Sequence, residues 1–411
     1  MTSATLVSSP LDGASFKQDA AVIGLVGLAH ASSHFAHLLL PLMYPVFMKE
    51  FGLSFSELGL LMSVFFVVSG LGQASAGFVV DRFGARPVLY GSMSIFVLVC
   101  LLASTATGYA SLLAVAVLLG LANSPFHPID FTILNQRVSQ HRLGHAFSAH
   151  SLTGNLGWAL APVFMVGITA ISSWRTAYLA AAFLYLAIFI LLILKRERLQ
   201  TDVVLRHPSD KPGQDLAFIK LPVVWLCFAF FLLSTMTLGM VQNYSVSLLQ
   251  ALYGVSFEAA TVTLTAYLLC SALGIFVGGF VATRHQQHSD RVVASCMTAG
   301  ALLLVLCGST LLSGWVTMVV LAITGFAIGI GGPSRDMMIK KATPKGATGR
   351  VYGLVYSGFD VGFAIAPLLF GMLMDKHWYS ASFFGAAVVL LLSVFAAFGV
   401  GSKIKTLAHP A

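Results

Sequence analysis

Long apolar segments follow one another along almost the whole chain, and short polar turns separate them. Most segments are apolar all round and reach the roughly 20 residues that a helix needs to cross a bilayer. The pattern predicts an all-α membrane protein with twelve transmembrane helices. The predicted spans are residues 21–48, 55–79, 86–106, 109–136, 146–171, 174–194, 219–251, 256–283, 291–312, 314–340, 350–374 and 380–400.

Composition and charge agree with this class. Hydrophobic residues make up 57% of the chain and charged residues 9%, whereas soluble proteins carry about 25% charged residues. Of the 23 Lys and Arg residues, 19 fall on one side of the predicted bundle and three on the other. Basic residues concentrate on the cytoplasmic side of membranes. We therefore expect a multi-pass protein of the cell inner membrane with both termini cytoplasmic, and the net charge of +8 does not indicate a nucleic-acid partner.

The longest polar interval divides the chain into two parts. It carries Pro208, Pro212 and alternating charges, which are typical of a flexible linker. The predicted organisation is a cytoplasmic N-terminal tail (1–20), a six-helix half (21–194), a cytoplasmic linker (195–218), a second six-helix half (219–400) and a cytoplasmic C-terminal tail (401–411).

An internal repeat relates the two halves. At an offset of 202 residues Gly52 matches Gly254, and at an offset of 205 Pro128 matches Pro333. Further matches at these offsets pair Gly72 with Gly274, Arg82 with Arg284, Gly157 with Gly362 and Pro162 with Pro367. The repeat predicts two parallel, pseudo-symmetric six-helix halves.

A charged turn after the second apolar segment carries the clearest motif. Residues 77–86 read Gly-Phe-Val-Val-Asp-Arg-Phe-Gly-Ala-Arg. This resembles the loop signature of the major facilitator superfamily, except that Ala85 stands where the family has Arg or Lys. The resemblance implies the major facilitator fold, a substrate site between the halves and alternating access. It also implies gating roles for Asp81, Arg82 and Arg86, with Gly77 and Gly84 shaping the turn; an alternative is that the turn only anchors the topology.

Few ionisable residues lie inside the predicted spans, where charge is costly and usually functional. Asp130 aligns with Arg335 at the offset of 205, next to Pro128 and Pro333 respectively. We expect Pro128 to interrupt its helix by freeing the carbonyl of residue 124, and Pro333 to interrupt the matching helix. Arg335 is a candidate for substrate binding and Asp130 for proton coupling, although both could serve only in structural ion pairs.

Two further positions extend this set. Asp360 aligns with Asn155 at the same offset; Asp360 is a candidate proton carrier and Asn155 a candidate substrate contact, or both are packed polar groups. Asp336 follows Arg335 directly, and we expect its side chain to point elsewhere on the helix.

Three histidines share one face of the first span. His30, His34 and His37 stand at helical spacing, and His127 precedes Pro128. Histidine titrates near neutrality and can relay protons or donate to an anion. His34, His37 and His127 are candidates for substrate binding and His30 for proton coupling. Because this stretch has no carboxylate or thiolate beside its histidines, no metal and no cofactor are expected.

A narrower resemblance lies in spans 4 and 5. Phe-His-Pro at 126–128, Gly-Asn-Leu-Gly at 154–157 and Ala-Pro at 161–162 are similar to the bacterial branch that includes the fosmidomycin-resistance exporters. Those proteins export an anionic phosphonate. Drug antiporters, however, carry Gly immediately before the proline, where this chain has Ala161.

The leading hypothesis is a proton-coupled secondary transporter of a small organic solute. The positive charge of Arg335 and the histidines favours an organic anion as that solute. Its partners would be the solute, protons and the bilayer, and the protein would be a monomer, as the superfamily resemblance implies. A multidrug or antibiotic efflux antiporter is the first alternative, and a non-transporting membrane sensor is the second. The sequence shows no nucleophile–base pair or phosphate loop, so we do not expect an enzyme.

Overall fold

The computed structural model describes residues 15–201, 217–342 and 348–408. Within these ranges twelve stretches are long and apolar enough to cross a membrane, which confirms the predicted all-α architecture. The α-helices are α1 (Phe16–His37), α2 (Tyr44–Phe51), α3 (Phe55–Phe83), α4 (Ala85–Ser104), α5 (Tyr109–Asn123), α6 (Phe126–Arg137), α7 (Leu143–Ile171), α8 (Trp174–Leu194), α9 (Pro222–Tyr253), α10 (Phe257–Arg284), α11 (Ser289–Gly308), α12 (Gly314–Ala342), α13 (Thr348–Asp375) and α14 (Tyr379–Ala408).

Two of the spans consist of two helices each. The first combines α1 and α2 through a short 3-10 turn, Pro41–Met43, and the fourth combines α5 and α6. The predicted interruption at Pro128 was placed too late in the chain, because the break lies at Ser124 and Pro125. Pro128 sits in the first turn of α6, where its missing N–H costs nothing. Pro333 lies inside the continuous helix α12, so the matching helix is not interrupted.

Helix ends reproduce the internal repeat. Gly52 ends α2 and Gly254 ends α9, both in the left-handed conformation that favours glycine. Ser54 and Ser256 then cap the next helices, α3 and α10, by accepting hydrogen bonds from backbone N–H groups. The same residue types at an offset of 202 therefore build the same helix–turn–helix corner in each half.

The bundle joins a first half (α1–α8) to a second half (α9–α14). We call the end of the bundle at which α1 begins the terminal end, and the other end the opposite end. Between the halves, α3 packs against α13 and α7 against α10. The first of these contacts brings the middle of α3 close to the middle of α13.

The terminal end of the first half extends beyond the predicted span. α1 begins at Phe16, and Asp19 is fully buried rather than part of a polar tail. Its carboxylate accepts hydrogen bonds from Nη1 of Arg142 at 2.7 Å and from the backbone N–H of Ser139 at 3.3 Å. Most of the predicted N-terminal tail and linker lies outside the described residues.

The charged turn is shorter than expected. α3 continues to Phe83, and Gly84 alone, with a φ of 83°, connects it to α4. Gly77 therefore lies inside α3, and a Cβ atom built on it would meet no atom within 4 Å. The expectation that Gly77 shapes the turn is wrong, whereas the positive φ of Gly84 does favour glycine.

Close packing of α1 against α7 depends on Gly157. A Cβ atom at this position would collide with the backbone carbonyl of Ala31, which cannot rotate away. Gly167 lies on the same helix, and a Cβ atom there would meet nothing within 4 Å. Substitution by Ala raises the helix propensity at both positions, but only at Gly157 does the added Cβ atom collide with a neighbouring helix. The two positions therefore separate the effect of packing from that of helix propensity.

We predict that Gly157→Ala destabilises the folded protein by about 1–3 kcal/mol, the usual cost of overpacking. Thermal melts of the detergent-purified protein, followed by size-exclusion chromatography, should show a lower Tm. Gly167→Ala should leave the Tm unchanged or slightly raised. Equal melting temperatures for both variants would contradict the assigned α1–α7 contact.

Candidate functional site

A histidine cluster surrounds a buried carboxylate in the first half. We use this name for Asp130 together with His30, His34, His37, His127 and His150, which α1, α6 and α7 contribute. Oδ2 of Asp130 lies 3.0 Å from Nδ1 of His30 and 3.0 Å from Nε2 of His150. Helical spacing on α1 places its three histidines on the stripe that faces α6 and α7. The predicted histidine stripe and Asp130 thus belong to one site.

The imidazole rings form a continuous chain. His30 stacks on His150 with ring centroids 3.5 Å apart, and the centroids of His34 and His37 are 5.1 Å apart. The centroid of His127 lies 5.6 Å from that of His30. Asp130, His30, His37 and His150 are buried, whereas His34 and His127 are partly exposed. The partly exposed rings are the ones that a solute or ion would reach first.

A polar layer that the sequence analysis did not identify supports His37. Asn123, the last residue of α5, accepts a hydrogen bond from Ser33 at 2.6 Å, contacts Nε2 of His37 at 3.2 Å and donates to Ser69 at 2.9 Å. The indole N–H of Trp158 donates to Nδ1 of His37 at 3.2 Å. His37 is thereby fixed at both ring nitrogens, which favours a structural role over direct substrate contact.

Gln73 connects the two halves beside the cluster. Its Oε1 lies 2.9 Å from Nδ1 of His127, and its Nε2 donates to Oδ2 of Asp360 at 3.4 Å. Gly70, one turn earlier on α3, faces the Asp360 side chain: a Cβ atom there would lie 3.5 Å from the Cβ of Asp360, at ordinary contact distance. We call the sequence His127–Gln73–Asp360 the inter-half chain. A search for amide as well as ionisable side chains within the spans would have found Gln73.

Arg335 lies in the second half, apart from these groups. Its Nε donates to Oδ1 of Asp336 at 2.9 Å, and its guanidinium carbon lies 4.8 Å from the ring centroid of Phe231. The expectation that Asp336 points away from Arg335 is wrong, because a long arginine side chain can fold back to its neighbour's carboxylate. Within the described residues no ion pair links Arg335 to Asp130 or Asp360. The aligned opposite charges therefore have partners within their own halves.

Asn155 and the charged turn stand apart from the cluster. The amide of Asn155 donates to the carbonyl of Ser151 on the same helix at 3.0 Å. Arg86 donates to the carbonyl of Arg196 at 3.3 Å, and the guanidinium carbon of Arg82 lies 5.4 Å from the ring centroid of Phe83. Asp81 has no hydrogen bond or ion pair in the described part of the chain. Its gating role therefore has no contact among the described residues to support it and stays a prediction.

At the opposite end, the second half caps a helix of the first. The carboxylate of Asp375, at the end of α13, accepts hydrogen bonds from the backbone N–H groups of Phe55 at 2.7 Å and Ser56 at 2.9 Å. These N–H groups begin α3, where unpaired donors and the helix dipole favour an anion. Nearby, Tyr44 donates to Oδ1 of Asn243 across the halves at 3.2 Å. These hydrogen bonds join the two halves at this end of the bundle.

The architecture has a clear family assignment. A profile described as Major Facilitator Superfamily matches residues 26–263 and 239–406, which together span most of the chain. The chain belongs to the major facilitator superfamily. It is a multi-pass membrane protein with a transporter fold, as the loop motif and the repeat predicted.

Similar proteins support this assignment. The fosmidomycin resistance protein of Escherichia coli (strain K12) is 25% identical over 267 residues, which cover 63% of this chain and 64% of that protein. The hexuronate transporter of Bacillus subtilis (strain 168) is 22% identical over 398 residues, covering 92% of this chain and 93% of the relative. A crystal structure of a bacterial homolog of the human lysosomal transporter Spinster superposes with a TM-score of 0.73 at 14% identity, covering 97% of this chain and 100% of that one.

We predict that Asp375→Ala opens the opposite end more often. The substitution removes the acceptor of two backbone N–H groups at the start of α3, and with it their hydrogen bonds between the halves. Spin labels on cysteines introduced at Lys49 and Gln250, which line the same cavity on the two halves, would report the separation in pulsed electron paramagnetic resonance. The distance distribution should gain a longer component.

The matched control is Glu57→Ala. Glu57 caps the same helix from within the first half, through the backbone N–H of Ser54 at 2.8 Å. This variant should keep the wild-type distance distribution. A longer component in both variants, or in neither, would show that Asp375 does not hold the halves together.

Proposed function

We propose that this protein is a proton-coupled secondary active transporter of a small organic anion. It would act by alternating access in the cell inner membrane, as a monomer with both termini cytoplasmic. The observation that carries the proposal is the inter-half chain, in which a carboxylate of the second half meets polar groups of the first half inside the bundle. Buried ionisable groups in membrane proteins usually mark substrate or proton pathways.

Asp360 is the proposed proton carrier. As a carboxylate it accepts the hydrogen bond from Gln73, which is charge-assisted and joins the two halves. Protonation removes the charge and weakens that contact. A proton bound at Asp360 therefore changes the relative stability of the conformations in which the halves meet or separate, which is what coupling requires. Asp130 and His30, the other sequence candidates, lie within the first half, so we assign proton coupling to Asp360 instead.

Arg335 is the proposed anion-binding residue. Its side chain is 29% exposed, so the charge is reachable. The guanidinium group has five N–H donors, and Asp336 engages Nε. The partly exposed His34 and His127 could supply further donors from the first half, whereas His37 and Asn155 are occupied by other contacts. A relative named for a hexuronate, an organic anion, agrees with this charge.

An efflux antiporter for apolar drugs is the second candidate. Aromatic side chains meet across the halves, with the rings of Phe66 and Phe363 stacked at 4.5 Å and the rings of His37 and Phe363 at 6.4 Å. Such a surface would suit a large apolar solute. Transport assays should therefore include a hydrophobic cation beside the anions.

We predict that the Asp360→Asn variant still exchanges the solute across the membrane but no longer accumulates it. Proteoliposomes with this variant should exchange labelled for unlabelled glucuronate or fosmidomycin, whichever the wild type accepts, but a pH gradient should no longer drive accumulation. The reason is that an amide cannot take up the proton. Glu258→Gln, a change of the same type at an exposed position of α10, should accumulate normally. Gradient-driven accumulation by Asp360→Asn would remove Asp360 from the coupling mechanism.

We predict that Arg335→Ala weakens anion binding by about ten-fold or more, since a hydrogen bond to a charged group is worth about 1.5–3 kcal/mol. The loss should appear as a raised KM for the anion in the same proteoliposomes. Arg335→Lys should recover part of it. Arg284→Ala, which removes an exposed charge from the end of α10, is the control. Wild-type KM in Arg335→Ala would exclude the proposed anion site.

A further inference from the structure

Part of the histidine cluster has the composition of a metal site. His30, Asp130 and His150, which we call the ligand triad, come from α1, α6 and α7 and are all buried. Each offers a ligand atom, and these atoms lie within 4.8 Å of one another. A metal was not expected from the sequence, because the carboxylate stands on a different helix from the histidine stripe. The fold brings the two together.

Two polar atoms of the ligand triad lack hydrogen bonds to the described residues. Nδ1 of His30 lies 3.0 Å from Oδ2 of Asp130, but the two atoms are not aligned for a hydrogen bond, and this nitrogen has no other partner in the described ranges. Oδ1 of Asp130 also has no partner there. Unpaired polar atoms buried inside a protein cost several kcal/mol. A cation shared by the nitrogen and the carboxylate would remove this cost.

The spacing of the atoms suits a small metal ion. Zinc binds nitrogen and oxygen at about 2.0–2.2 Å in a tetrahedron, so neighbouring ligand atoms lie about 3.3 Å apart. Oδ2 of Asp130 lies 3.0 Å from a nitrogen of each histidine in the ligand triad. Side-chain shifts of a few tenths of an ångström would be sufficient to bind the ion.

Gly154 provides room for the rings, and the partly exposed histidines provide access. A Cβ atom at Gly154 would lie 2.8 Å from Cε1 of His34 and 3.0 Å from Nε2 of His30. His34 and His127 form a second possible ligand group with His30 and are partly exposed. Either could complete the coordination, and a metal ion could reach the ligand triad past them.

We propose that His30, Asp130 and His150 bind one transition-metal cation, with Zn²⁺ as the best match. Imidazole nitrogen with one carboxylate oxygen suits zinc and its neighbours cobalt and nickel, whereas magnesium and calcium prefer sites built from oxygen alone. The ion would join α1, α6 and α7 within the first half. Its three ligands are distinct from Asp360 and Arg335, the residues assigned to proton coupling and anion binding.

The test measures metal binding directly. The full-length protein is purified in detergent through a tag without histidines, stripped with EDTA and titrated with Co²⁺, whose visible absorption reports tetrahedral coordination. The wild type should bind about one Co²⁺ per chain with intense visible bands, and Zn²⁺ should displace it. Zn²⁺ should also raise the Tm, because the ion binds the folded state. Absence of a stoichiometric cobalt spectrum in the wild type would overturn the proposal.

Variants locate the site. His150→Gln, His30→Gln and Asp130→Asn should each weaken Co²⁺ binding by about 100-fold or more, since each removes a direct ligand and even outer-shell changes cost about 10–100-fold. His145→Gln, an exposed histidine five residues earlier on α7, should bind as the wild type does. Unchanged binding in His150→Gln and His30→Gln, or equal loss in His145→Gln, would show that the ion sits elsewhere on the surface. Because this readout needs no transport, its failure is distinct from failure of the proposed function.

Discussion

The cost of placing charge inside a membrane constrains this structure more than any other interaction. The Asp130 carboxylate is fully buried and thus shielded from bulk water. Two imidazole groups lie within 3.0 Å of it, one from α1 and one from α7. This arrangement fixes how α1, α6 and α7 meet. Gly157 lets the backbones of α1 and α7 come close, and Gly154 leaves room for the histidine rings. The first half thus has a polar centre in an otherwise apolar bundle.

The second half places two carboxylates, those of Asp360 and Asp375, against the first half. Asp360 reaches across to Gln73, and Arg335 lies beside Phe231 with part of its side chain exposed. At the opposite end, Asp375 joins the halves by capping α3. A transporter must break contacts of this kind in each cycle, so they have to be polar and replaceable by water. A rigid first-half cluster and exchangeable contacts at the junction form a consistent division of roles.

Much of the fold could be predicted from the sequence because lipid imposes simple rules. The twelve spans follow from apolar length, and the repeat is visible in Gly52 and Gly254, which end equivalent helices with the same left-handed backbone. The meeting of His30, Asp130 and His150 could not be predicted, since three helices contribute one residue each and no spacing encodes the contact. The sequence did not show where the helix breaks before α6, because Pro125 and Pro128 can each end a helix. Only packing decides between the two positions. Gln73 was not predicted because its amide is uncharged, and functional candidates in the apolar spans were taken mainly from ionisable residues.

The central proposal is that the transport of an organic anion through this protein is coupled to proton movement. Wild-type protein in liposomes on a solid-supported membrane should be challenged with glucuronate, fosmidomycin and a hydrophobic cation, at acidic and at alkaline pH. The account predicts a substrate-dependent transient current or proton movement with an anion, dependent on pH and abolished by a protonophore. A response to the cation alone, or no response to any of the three, would contradict it.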